Sequence, residues 1–228
     1  LRCPRCHEGT MAPLEKPDSY EPPYSVNSTS HFAYEPEWTT LQLISTLKCS
    51  KLSCGQLSVF HAAGSLEWNA NERNEQYYEA VFRITAVHPS PRIIQLPSSL
   101  PEPIEGPLLA AFETFWNNKQ LCANATRQAV EALLDFHGAP RLSAKSKRLP
   151  LATRIDALIK TNPNYGELFD LFRPILNAGS HGEEIKTDTL LDVLEALELH
   201  LDAVFESKID RLGELQTLLR NPIGESDG

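Results

Sequence analysis

No stretch of this chain approaches the roughly 18 uninterrupted apolar residues that a helix needs to cross a bilayer. Its N-terminus also lacks the basic, apolar, small-residue progression of a secretory leader. A spanning helix is excluded on these grounds, and a cytoplasmic protein without membrane contact is expected. Positive charge is the second shortage: 21 Lys and Arg stand against 30 Asp and Glu, for a formal net charge of −9. Indiscriminate coating of nucleic acid releases counterions to many Lys and Arg side chains, so that mode is excluded. Internal repeats and low-complexity tracts are missing too. What remains is 41% hydrophobic and 22% charged residues over 228 positions, enough for a sizeable core in one or two globular domains.

Cysteine is also scarce, at five, yet four of the five stand in two pairs, Cys3-Pro-Arg-Cys6 and Cys49-Ser-Lys-Leu-Ser-Cys54. A thiolate-preferring divalent ion takes four ligands at the corners of a tetrahedron, and a short turn between two cysteines supplies two of them from one chain reversal. Pro4 and Gly55 suit such turns, and residues 7–48 form the insertion between them. Zinc held by Cys3, Cys6, Cys49 and Cys54 is the expectation; two disulfides, or thiols that only pack, are the other uses of such pairs. His7 reads as a neighbour of this set. Cys122, in a helical stretch, reads as a small buried apolar residue.

From Cys3 to about Val87 the chain is rich in Thr, Val, Tyr and Phe in short runs, which predicts β structure. Leu41–Ser45, Leu57–His61 and Tyr77–Val87 are the strand candidates. Met11–Pro36 carries several prolines and little periodicity and reads as irregular. Pro89, Pro91, Pro97, Pro101, Pro103 and Pro107 then predict a stiff linker. Beyond Pro107 the apolar period becomes helical: Leu108 to Trp116, Leu121 to Leu134, Leu151 to Ile159, about Tyr165 to Ala178, and Thr187 to Phe205, with the stripe resuming at Ile209 to Leu219. The expectation is an α+β chain: a zinc-ribbon-like β domain over 1–88, a linker over 89–107, and an antiparallel helical bundle over 108–228.

Two groups of polar residues stand out in the second half. Arg173 and Asn177 fall one turn apart on one helix face, and His181 would extend the line if the helix did not stop at Gly179. A histidine that shuttles a proton beside a guanidinium that holds phosphate suffices for metal-free RNA cleavage. The same cluster could equally cap carbonyls at a helix end. The second group is the run of Arg141, Lys145, Lys147, Arg148, Arg154 and Lys160, broken by one acid, Asp156. It reads as a local nucleic-acid patch centred on Lys145, Lys147 and Arg148, or as a solvated surface.

Ala125-Thr-Arg-Gln-Ala-Val-Glu131, Arg154-Ile-Asp-Ala-Leu158 and Asn177-Ala-Gly-Ser-His181 resemble the family called domain of unknown function 4145, over about Leu100 to Phe205. That family is similar to HEPN domains and often carries a cysteine-pair ribbon ahead of the bundle. The resemblance implies a HEPN-like helical bundle that often forms homodimers and occurs in bacterial defence and restriction systems. In the wider superfamily it includes ribonucleases. This chain departs from the active ribonuclease pattern: Pro174 follows the arginine, and residues 174–180 are a longer spacer to His181 than that pattern uses. Three readings of function follow. One is a recognition module that binds nucleic acid, RNA included, or a protein partner in a defence complex. Another is a metal-independent endoribonuclease using Arg173, Asn177 and His181. The third is a structural adaptor.

Overall fold

The computed structural model describes residues 2–181 and 184–206, with the side chains of Ser180 and His181 outside that description. The fold is α+β. It divides into two compact units: the described residues up to Ile93 with Leu109–Cys122, and Ile94–Leu108 with the described residues from Ala123 onward.

The first unit is built on an antiparallel sheet in the order β1-β3-β4-β5, formed by Met11–Pro13, Thr40–Cys49, Leu57–Ala70 and Gln76–His88. A two-residue strand, β2 (Ser19–Tyr20), pairs with Leu43 and Gln42 of β3. Strands β4 and β5 are longer than periodicity predicts, because their hairpin is closed by a strong local turn. Asn71 Oδ1 accepts from the amides of Arg73 and Glu75, and Asn74 takes a left-handed φ of 61°. A register shift between His61 and Ala62 marks a bulge, which adds local twist. Met11–Pro36 is more ordered than expected, since it contains β1, β2 and a short helix, α1 (Pro23–Ser28). Edge pairing to β3 supplies the backbone partners that the sequence of this segment does not advertise.

Five further helices follow: α2 (Glu102–Phe115), α3 (Lys119–Phe136), α4 (Leu151–Thr161), α5 (Pro163–His181) and α6 (Thr187–Phe205). Helix α2 begins inside the segment expected to be linker. Pro103 lies in its first turn, where a missing amide costs nothing, although Pro107 sits further in. The core of the second unit is formed by Ile104, Leu108, Val130, Leu133, Leu134, Ile155, Leu158, Phe169, Leu176, Leu190, Leu194, Leu197 and Leu201, all at most 2% exposed. Helices α4 and α5 are joined by Asn162 alone. Gly166 lets them close on each other, because a Cβ there would meet the Ile159 backbone at 2.5 Å. Helix α3 buries Ala125, Ala129, Val130, Leu133 and Leu134 of the expected stripe. Leu121 is half exposed, while Cys122 is fully buried, as expected of a small apolar residue.

Candidate metal centre and helix-face site

Cys3 and Cys6 lie on the tight turn that precedes β1, and Cys49 and Cys54 flank the turn between β3 and β4. The pairing of Met11 with Cys49 brings the two turns side by side. The first turn is closed by Cys3 N–H to Gly9 O at 2.7 Å and His7 N–H to Cys3 O at 3.1 Å, with His7 at φ 59°. The second is closed by the amides of Cys54 and Gly55 donating to Lys51 O, with Gly55 at φ 61°. All five cysteines are free thiols, so the disulfide alternative does not hold here.

The four sulfurs lie within 4.8 Å of one another, with Cys3 Sγ to Cys54 Sγ and Cys6 Sγ to Cys49 Sγ both at 3.7 Å. A tetrahedron with metal–sulfur bonds of about 2.3 Å has edges of about 3.8 Å, so the donor set fits one ion. Two backbone amides already point at the sulfurs: Gly9 N–H donates to Cys6 Sγ and Lys51 N–H to Cys49 Sγ, each at 3.4 Å. The four thiols could therefore hold a metal ion. With four thiolates bound, no coordination position stays open, which suits a structural rather than a catalytic role.

The electrostatics of the thiols differ. Amides from Gly9 and Glu8, together with the neighbouring cysteines, bring Cys6 down to about 6, whereas burial pushes Cys49 up to about 12. An exposed ion pair between Lys51 and Glu8 at 2.6 Å ties the two turns across the site. Gly9 has no room for a side chain, since a Cβ would lie 2.4 Å from Cys49 Sγ. Around the thiols, Met11 and Leu47 are buried and Phe60 packs against them.

The helix-face residues are arranged differently from the sequence expectation. Helix α5 does not stop at Gly179 but runs through to His181, so the backbones of Arg173, Asn177 and His181 follow one another at one-turn intervals. The His181 side chain lies outside the described residues. Arg173 pairs with Asp170 at 3.2 Å. Asn177 is bonded to α3: Arg127 donates Nη1–H to Asn177 Oδ1 at 3.0 Å and Nε–H to Glu131 Oε1 at 3.3 Å. Asn124 Nδ2 donates to Gly179 O at 3.0 Å, a second tie from α3 to the end of α5.

The basic segment is a closed loop. Arg141 O accepts from Leu149 N–H, Ser143 N–H donates to Lys147 O, and Leu142 bridges to Arg148. Ser146, at φ 54°, turns the tip, leaving Lys145 and Lys147 exposed. Arg148 reaches Glu131 at 2.7 Å, and Arg154, expected on the surface, is 4% exposed and bonded to Asp135 at 2.5 Å. Its position had a signal in the sequence: Leu151, Arg154, Ile155 and Leu158 share one helical stripe, and that stripe is the buried one.

Residues 1–85 match the family model described as Domain of unknown function (DUF8608), and residues 110–220 match the one described as Domain of unknown function (DUF4145). The second match supports the resemblance drawn from the motifs of α3 to α5. No curated protein and no solved structure matches the chain. Among the described residues no helix is long and apolar enough to cross a membrane.

Proposed function

We propose that this protein is a zinc-stapled recognition module of the cytoplasm that binds nucleic acid through the loop between α3 and α4. The observation that carries the reading is that loop: in a chain of net charge −9, a segment tied by its own backbone bonds holds Lys145 and Lys147 in solvent beside Arg141 and Arg148. A pre-shaped basic projection loses little entropy when it meets a phosphate backbone. Zinc is the favoured ion because an all-thiolate set at tetrahedral spacing selects it among common divalent ions. Unbridged thiols suit a reducing compartment. The placement in a bacterial defence system, the HEPN-like character of the helical unit and a homodimeric state rest on the family resemblance.

Binding to mixed single-stranded RNA should weaken roughly linearly in log–log plots against salt, with about 0.7 in slope for each phosphate neutralised. Replacing Lys145 and Lys147 together by Gln should lower the slope by about 1.4 and the affinity several-fold at moderate salt. An unchanged slope would favour the adaptor reading, in which the unit docks on a protein.

A ribonuclease is the second reading, and the continuity of α5 favours it, because His181 now shares a helix with Arg173 and Asn177. His181 would act as general acid or base and Arg173 would hold phosphate charge, with Arg127 kept beside them by Asn177. Incubation with RNA in magnesium-free buffer tests this. Cleavage abolished by His181→Ala is the expected result, and either no cleavage by the wild type or equal cleavage by the variant removes it.

A further inference from the structure

Four guanidinium groups in the second unit share two carboxylates. Arg127 and Arg148 bond Glu131 at 3.3 and 2.7 Å, and Arg154 and Arg141 both bond Asp135. Each carboxylate can neutralise one cation, so the cluster keeps two positive charges beyond its internal pairing. With Arg141 and Arg148 largely solvated and Arg154 buried beneath them, this excess gives the site a positive potential. Here it borders a cavity of about 460 Å³ lined by Glu131, Arg141, Leu142, Arg148 and Arg154. Arg154 is the telling member. It is 4% exposed, and among the described residues its Nε–H finds no hydrogen-bond partner, although a buried donor without an acceptor costs on the order of 1–3 kcal/mol.

Arg141 and Arg148 reach the same cavity from opposite arms of the loop, whose backbone bonds fix their spacing before any ligand arrives. Converging, preorganised guanidiniums with a surplus of two charges match a dianion with several acceptor oxygens. We propose that this cavity is a binding site for a phosphomonoester dianion, presented either by a small phosphorylated molecule or by the phosphorylated 5′ end of a nucleic-acid strand. The first form is independent of the nucleic-acid reading above; the second rests on it. The first form needs neither Lys145 nor Lys147.

The test uses the full chain in three arms. Inorganic phosphate is titrated against chloride at matched ionic strength, with the thermal midpoint as readout. Fluorescence anisotropy then compares one short RNA carrying a 5′ phosphate with its 5′-hydroxyl twin. Both measurements are repeated on Arg148→Gln and Arg141→Gln, whose side chains are largely exposed and whose loss spares the core. A saturable rise of the midpoint with phosphate that either variant weakens at least tenfold is the expected result. A further tenfold preference for the phosphorylated strand assigns the strand end as the source, and equal strand affinities assign a small ligand. The proposal is overturned if phosphate acts no differently from chloride, or if both variants bind as the wild type does. Loss of RNA binding in the double lysine variant with phosphate binding intact would separate the two sites.

Discussion

Treating the purified chain with chelator at neutral pH is expected to collapse the cysteine end of the sheet, with recovery on adding one equivalent of zinc. The reason is the size of the core there. Among the described residues Cys3, Met11, Leu47 and Cys49 are buried, with only Cys6, Cys54 and Phe60 packed around them, and β1 is three residues long. Structural zinc sites contribute on the order of 10–16 kcal/mol at pH 7, comparable to the whole net stability of a typical domain at about 5–15 kcal/mol. Four thiols at 3.7 to 4.8 Å without an ion have no comparable compensation. Hydrogen exchange at Met11, Leu47 and Phe60 is the readout, since it reports the opening of this end alone. Cys54→Ser should lose stoichiometric metal. Gly9→Ala should bind it more weakly, because the new methyl group overlaps Cys49 Sγ. Elemental analysis showing no bound ion in the native protein, together with exchange rates unmoved by chelator, would contradict the metal reading.

The four-thiol cluster was legible in the sequence because its cysteines announce themselves by residue type and close spacing, and the insertion between the pairs does not disturb that signal. The strands were legible in place but not in length, since β4 and β5 extend through polar and glycine-containing stretches held by pairing rather than by alternation. The end of α5 was misread for a related reason. Gly179 looks like a terminator, but Asn124 takes up its carbonyl and the helix continues. Arg127 and Arg154 were hidden because a basic side chain is read as exposed by default. Whether it turns inward depends on what a neighbouring helix offers, here Asp135 of α3 for Arg154 and Asn177 of α5 for Arg127. His200 was passed over on an acidic helix, although its place beside Leu197 and Leu201 marks it as facing inward.

That histidine carries the second large effect. His200 is 4% exposed and meets His137 with their Nε2 atoms 3.2 Å apart, so one neutral ring donates and the other accepts. Tyr165, Phe169 and Phe136 pack against the two rings, and among the described residues neither ring is bonded to a carboxylate. Burial, and then the nearby His137, bring His200 down from 6.5 to about 4, and burial lowers His137 as well. A second proton would place two N–H donors face to face and strand a charge among aromatic rings. The sign follows from linkage: between the two values the unfolded chain binds a proton that the folded chain refuses. Stability is therefore full above about pH 6.5 and falls as pH drops toward 4. At 1.36 kcal/mol per unit, the loss for His200 alone is on the order of 3 kcal/mol. Denaturation of wild type and His200→Phe at pH 7 and pH 4.5 isolates it, because carboxylate and thiol titrations are common to both proteins. The wild type should lose on the order of 2–3 kcal/mol more than the variant over that interval. Equal losses would mean that His200 is charged in the fold, and that the histidine pair is not buried as the helices place it.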